Sequence, residues 1–426
     1  LRLRPNPDPN QRRLTPPTRR PGPASPRLLA RGRRWLTLVA LAGTALLSRA
    51  ADAAATAATG LAQPAHTGPW GELVRTRILI EPPDEFLAPD YAIATPGRWV
   101  FPGYSPGDLG RLWEAAGLSA PEQAVLTRCT KIIGAPVTTC TVEPPGEFVL
   151  GLSRPARTTI YNALAAFPEN PDQQEPFRFR ASTEEEWFEN SGLAPATVAT
   201  VRRLLYRRGT SLLFSDQDLV LPLLPDRAER LKLVKTLARK STLLLQLRVT
   251  PDSDVDALAA YWGGGPRRKD VRSLLRSLAR RPGGTLIDVG HLLPRFARAR
   301  LFTYPTVADH AGDANYDCHW TSLNFFNDAP DDRFADAAIV QATLEQQYAP
   351  VTGAHQLGDI LVFFRGDGKA IHSCVYIADD VVFTKNGSSQ VMPWMLMDLA
   401  DVIAFYPAEP PPVVRAFRRR SREGSH

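Results

Sequence analysis

The chain has 426 residues, 44% of them apolar and 22% charged, the composition of an ordinary globular protein and enough length for two or three folded units. Its net charge of +7 belongs to the ends: residues 1–34 hold ten Arg against one Asp and residues 411–426 five Arg against one Glu, which leaves residues 53–410 net acidic at −6. A mildly acidic body with no basic face in its folded part argues against nucleic-acid binding.

Residues 1–53 combine that arginine-rich lead with an apolar run from Trp35 to Leu47 and small residues in Ser48-Arg49-Ala50 and Ala51-Asp52-Ala53. Positive, then apolar, then small is the order of a secretory signal. The apolar run is short for a bilayer span of about 20 residues. An uncleaved N-terminal anchor is the alternative. Either puts the body outside the cytoplasm, secreted or periplasmic in the cell envelope, with no membrane span once a signal is cleaved. The length of the arginine lead leaves room for the translated start inside it. Residues 54–68, rich in Ala, Thr and Pro, read as a linker.

Residues 69–300 are expected to form one or two mixed, helix-biased domains without recognisable chemistry. Short strands are predicted at Arg77–Glu81 and Trp99–Phe101. Helices are predicted over 108–118, 154–167, 182–190, 198–207, 227–238 and 270–281, from apolar residues at three-to-four spacing and from capping residues. Leu212–Phe214 and Leu219–Leu221 around Ser215-Asp216-Gln217-Asp218 suggest a hairpin. Cys129 and Cys140 either pair in an oxidising compartment or stand as two separate buried thiols. The run Gly263 to Lys269 lacks the Gly-Lys-Ser/Thr ending of a phosphate loop. Asp252, Asp254 and Asp256 lack the glycine and closing glutamate of a calcium loop, and helix capping explains them better.

From 301 to 407 the texture changes. A helix is predicted from Cys318, a second from Phe334 to Tyr348, then strands at Asp359–Phe364, Ala370–Ile377, Val381–Thr384 and Val402–Tyr406. Helices first and antiparallel strands after is an α+β order. Residues 408–426, rich in Pro and Arg, are expected to be disordered.

Cys318 follows Asp317, a favoured N-cap residue, so the thiol should sit at a helix N-terminus, where backbone dipoles favour a thiolate and first-turn N–H groups can hold an oxyanion. His372, in a strand, shares a face with Cys374 and Tyr376. A three-residue loop of Ala378, Asp379 and Asp380 would set Asn386 opposite His372, to accept from one ring nitrogen and leave the other for the sulfur. A tighter loop would put Thr384 there instead. Cys318 as nucleophile, His372 as base and Asn386 as orienting residue are therefore the candidate catalytic set. A bond between Cys318 and Cys374 would remove the nucleophile. His319 with Asp309, His310 and Asp313 matches no zinc spacing.

Asp317-Cys318 opening an amphipathic helix, then Gly358-Asp359-Ile360-Leu361-Val362-Phe363-Phe364, then His372-Ser373-Cys374-Val375-Tyr376-Ile377, resembles the NlpC family of papain-like cysteine peptidases of the bacterial cell wall. That family's motifs run Asp-Cys-Ser-Gly-Leu, Gly-Asp-Leu-Val-Phe-Phe and His-Val-Gly-Ile-Tyr-Ile. The resemblance covers about a quarter of the chain, residues 301–407. It implies a papain-like α+β domain and thioester-mediated hydrolysis of amides in peptidoglycan stem peptides, with no cofactor and with peptidoglycan or a peptide as the partner. His319-Trp320 replaces the family's Ser-Gly, Cys374 replaces a Gly, and Thr384 stands near the place of a frequent third His. A non-catalytic envelope binding protein that keeps the fold is the rival expectation.

Overall fold

The computed structural model describes residues 63–87, 97–134, 138–180, 184–209, 211–306, 316–406 and 410–420. The signal or anchor expected over residues 1–53 lies outside them, as do Asp309, His310 and Asp313. The linker expected over 54–68 gives way at Gln63, where a strand begins and pairs with the next.

Two antiparallel sheets carry the site. The first has four strands in chain order: β1 (Gln63–Gly68), β2 (Gly71–Ile80), β3 (Lys240–Val249) and β4 (Thr285–Asp288). β3 is buried at Leu243, Leu245, Leu247 and Val249, the period-two pattern of a strand with one face in a core. Helices α1 (Val255–Trp262) and α2 (Arg268–Ala279) follow it. Asp254 caps α1, its Oδ1 accepting from Asp256 and Ala257 N–H, as the capping account of these acids requires.

The second sheet has six strands: β5 (Tyr348–Pro350), β6 (Ile360–Phe364), β7 (Ala370–Ala378), β8 (Val381–Lys385), β9 (Trp394–Asp398) and β10 (Val413–Arg419), in the order β5-β10-β6-β7-β8-β9. Helix α3 (Cys318–Asn324) lies on it, α4 (Ala337–Gln347) precedes β5, and α5 (Leu399–Phe405) follows β9. Helices with antiparallel sheets make the chain α+β.

The two sheets share one core. Leu73, Leu245, Trp262, Leu275 and Phe296 pack in the same apolar cluster as Trp320, Val375, Phe383, Trp394 and Leu396, so the boundary expected at 301 falls inside a continuous core. The Thr242 hydroxyl of β3 donates to Leu396 C=O (2.8 Å) and accepts from Leu396 N–H (3.1 Å), which occupies the outer edge of β9. Arg75 of β2, almost fully buried, is held by Asp379, Asp380 and Asp398 of the second sheet.

Three predicted elements differ. Val413–Arg419 is a strand, not a disordered tail: Val414 and Ala416 turn into the core, β10 pairs along β6 from Ile360↔Phe417 to Phe364↔Val413, and Arg418 is neutralised by Asp359 (2.7 Å). Residues 399–405 are helical rather than extended, because Leu399, Val402 and Ile403 fall at helical spacing on one apolar cluster. The hairpin expected around 215–218 is a helical turn, in which Asp216 C=O accepts from Leu219 and Val220 N–H.

Two smaller three-stranded antiparallel sheets complete residues 97–238. One is centred on Thr139–Val142, the other on Ser211–Phe214. Each has its own apolar cluster.

Candidate functional site

Cys318 is the first residue of α3 and is buried. Asp317 caps the helix: its Oδ1 accepts from the N–H of His319 (2.8 Å) and of Trp320 (3.0 Å). This corrects the expectation that the first-turn N–H groups are free for an oxyanion, because the cap has taken two of them. The backbone N–H groups that favour negative charge on the sulfur are those of Ser373, Cys318 and His319. The β7–β8 ladder stops at Val375↔Phe383, so Ser373 has no ladder partner on β8.

Ser373 also ties the helix to the strand. Its hydroxyl donates to Cys318 C=O (3.2 Å), contacts Ser322 Oγ (3.1 Å) and lies 2.9 Å from His319 Nδ1. Ser373, Val375 and Ile377 thus form the face of β7 under α3. Strand alternation turns His372, Cys374 and Tyr376 to the other face. There His372 is fully buried, packs edge-on against Phe363 and stacks on Tyr406, with ring centroids 4.3 Å apart.

A side-chain relay bridges the strands where the backbone ladder has ended. His372 Nε2 lies 3.1 Å from Thr384 Oγ1, and Thr384 Oγ1 donates to Asn386 Oδ1 (3.0 Å). The Asn386 amide is oriented by donating its N–H to Met397 Sδ (3.2 Å). Thr384 has a single proton, and it is committed to Asn386. Thr384 therefore accepts from His372, which carries its hydrogen on Nε2 and leaves Nδ1 as a bare lone pair. Nδ1 is buried and has no hydrogen-bond partner.

The loop expected to pair Ile377 with Val381 instead pairs Ala378 with Val381; Val375↔Phe383 and Tyr376↔Val382 keep the expected offset, but the ladder ends there, short of His372 and Asn386. The direct partner of His372 is Thr384, the diagonal neighbour, and Asn386 stands one bond further back. A bulge between Tyr376 and Ala378 tightens the turn to Asp379 and Asp380, with Asp379 in the left-handed region (φ 56°).

Burial dominates the electrostatics. It pushes the Cys318 thiol up to about 12, with the Asp317 charge adding to the rise and the three backbone N–H groups opposing it. It also holds His372 well below the usual imidazole range, reinforced by His319. The pair at rest is a neutral thiol and a neutral imidazole, and no hydrogen bond joins the sulfur to the ring. Tyr406 belongs to the same pocket of charge: its phenol is raised by burial first and then by Cys318 and Cys374. All four cysteines are free thiols, so neither the Cys129–Cys140 nor the Cys318–Cys374 bond is present. Among the described residues, no group of three or more His, Cys, Asp or Glu side chains is placed to hold a metal.

The Gly358-Asp359 motif is structural here. Gly358 has φ 94°, and a Cβ there would strike the Phe326 ring at 2.2 Å. Asp359, buried, accepts from Gln356 N–H (2.9 Å) and from both Arg418 Nε and Nη2 (2.7 Å each), so it fixes β10 beside β6. Ser373 and Tyr406 were not among the expected site residues. The alternation along β7 marks Ser373 as the residue that faces the helix. The helical spacing of 399–403 is the signal that would have brought Tyr406 back over His372.

The chain matches no family model, no curated protein and no solved structure.

Proposed function

We propose that the chain is an exported cysteine hydrolase that cleaves amide bonds in peptidoglycan stem peptides, with Cys318 as nucleophile and His372 as base. The observation that supports this most is the buried, unpartnered Nδ1 of His372, left as a lone pair by the Thr384–Asn386 relay; Cys318, on the helix against the neighbouring face of β7, is the nucleophile this base would have to reach. The NlpC-like order of Asp317-Cys318, Gly358-Asp359 and His372 supports the substrate class.

The Cys318 proton passes to His372 Nδ1 as the sulfur attacks the amide carbonyl. The imidazolium returns that proton to the leaving amine, and a thioester remains. Water, deprotonated by the same Nδ1, then hydrolyses the thioester and restores the thiol. Nε2–H stays on Thr384 throughout, so the ring need not turn between steps. The N–H groups of Cys318 and Ser373, which favour negative charge on the sulfur, would serve as donors to the developing oxyanion. Because the resting thiol is neutral, proton transfer accompanies attack rather than preceding it.

A second reading, an envelope binding protein that retains the fold without turnover, is favoured by the burial of both Cys318 and His372. Incubation of the mature protein with purified peptidoglycan, beside a Cys318→Ala control, separates the two. Hydrolysis predicts new muropeptides with the wild type alone. Fragments from both proteins, or from neither, would refute hydrolysis of that substrate, and sedimentation with the polymer without fragments would favour the binder.

A further inference from the structure

A cavity of about 120 Å³ lies away from the sulfur, between the ends of β2 and β3, strands β8 and β9, and α5. Its walls include Leu79, Met395, Met397 and Phe405 and four cations, of which Arg77 is paired with Asp398 and Asp401 and Arg239 with Glu81, while Lys240 and Arg178 have no acid partner among the described residues. Among the described residues the Lys240 ammonium has no hydrogen bond and no ion pair, although its backbone pairs with Ile80 of β2. Among the described residues the Arg178 guanidinium is held by Phe405, through its carbonyl (2.9 Å) and its ring (5.6 Å from the centroid). The acids in the wall do not serve them: Asp401 is bonded to Arg77 (3.3 Å), and Glu186 is solvent-exposed. A cation among apolar walls without a counter-ion is costly unless something pairs with it.

We propose that this cavity binds a small organic carboxylate, its charged end on Lys240 and its apolar body against Met395, Met397 and Phe405. The volume sets the size. A cavity of about 150 Å³ accepts benzene, so this one suits a single small ring or a chain of roughly four to six carbons. Burial alone pushes the Lys240 ammonium down to about 8, and an anion beside it would reverse that. The proposal does not use Cys318, although the cavity wall includes Asn386 and Met397 of the relay that orients His372.

Benzoate is the probe and toluene its uncharged counterpart. Wild-type protein is acetylated with trace acetic anhydride at pH 8, and the extent at each lysine is read by peptide mass spectrometry. Saturating benzoate should slow acetylation of Lys240 at least fivefold and leave exposed Lys269 unchanged, with toluene giving no comparable protection. The same result is expected in Cys318→Ala. Equal protection by toluene would mean that the walls alone bind, and no protection by benzoate would mean an empty cavity; either overturns the proposal. As a second measure, benzoate should raise the wild-type Tm saturably and leave Lys240→Met unmoved. An unchanged benzoate response in that variant also overturns it.

Discussion

Two buried polar networks, one in each half of the chain, differ in what they leave over. In the N-terminal half Arg157, fully buried, donates to Asp216 (2.5 Å), to Tyr161 Oη (3.1 Å) and to Val149 C=O (2.6 Å), and Tyr161 also donates to Asp216. In the C-terminal half His372, Thr384 and Asn386 form a chain of the same length. Each network has one nitrogen without a partner, Arg157 Nε in the first and His372 Nδ1 in the second. A guanidinium N–H cannot be given up at any accessible pH and holds no lone pair. A bare imidazole nitrogen is a base. The unpartnered nitrogen of the first network can only brace the fold, and that of the second can also take a proton.

The largest test of that contrast removes Asp216. Asp216→Ala strands a buried guanidinium and should cost about 3–5 kcal/mol in chemical denaturation. The rate at which iodoacetamide labels Cys318 in the still-folded fraction should not change. A loss below about 1 kcal/mol would mean that water reaches Arg157 and that the network is not closed.

Thr384→Val tests the other network. It leaves the buried His372 Nε2–H unsatisfied and should cost about 1–3 kcal/mol. It also frees the imidazole to exchange tautomers. The ring ¹⁵N shifts of His372 should report one tautomer in the wild type and a mixture in the variant. A single unchanged tautomer would show that Phe363 and Tyr406, rather than Thr384, hold the ring.

How much of this was legible depends on where each signal lies. Cys318 and His372 stand in local motifs, and Asp317 announces the helix, so both could be placed from the sequence. The offset that sets Val375 against Phe383 follows from strand period and the expected loop length. The preference for Thr384 does not, because it depends on a diagonal contact at the end of a ladder. Strand β3 carries a readable alternation at Leu243, Leu245, Leu247 and Val249. Its burial against the second sheet is a contact across about 150 residues of chain, beyond any local window. β10 was hidden by composition: three arginines mask the alternation of Val414 and Ala416, and the acid that neutralises Arg418 is Asp359, distant in sequence.

Tyr406→Ala sharpens the comparison from the solvent side. The ring covers His372 and lies within electrostatic reach of Cys318. Its removal should hydrate the thiol and lower its pKa. One unit of pKa is tenfold in thiolate at fixed pH, so labelling of Cys318 by iodoacetamide at pH 8 should rise about tenfold. Stability should also depend on pH in a particular window. His372 is depressed in the folded state, so its burial costs nothing at high pH. The penalty grows as pH falls below about 6.5, where the unfolded chain takes up the proton. Cys318 is raised, so stability falls again above about 8.5 as the unfolded thiol ionises. A His372→Gln variant should weaken the acidic decline, leaving the share of the partly buried His319, and keep the alkaline one.

Asn386→Leu should have the smallest effect, about 0.5–1.5 kcal/mol. Asn386 touches the ring only through Thr384, whose hydroxyl can turn when its acceptor is gone. That turn has a chemical consequence. A Thr384 proton no longer committed to Asn386 can point at Nε2, and the ring would then carry its hydrogen on Nδ1, the nitrogen that must be bare for the proposed base. Asn386→Leu should therefore lower hydrolysis far more than it lowers stability, and the His372 ¹⁵N shifts should move toward the Nδ1–H form. Asn386→Asp, which keeps the acceptor, should restore the Nε2–H tautomer. Equal loss of activity and stability in Asn386→Leu, with the tautomer unchanged, would reduce Asn386 to a packing residue and leave Thr384 alone as the group that orients His372.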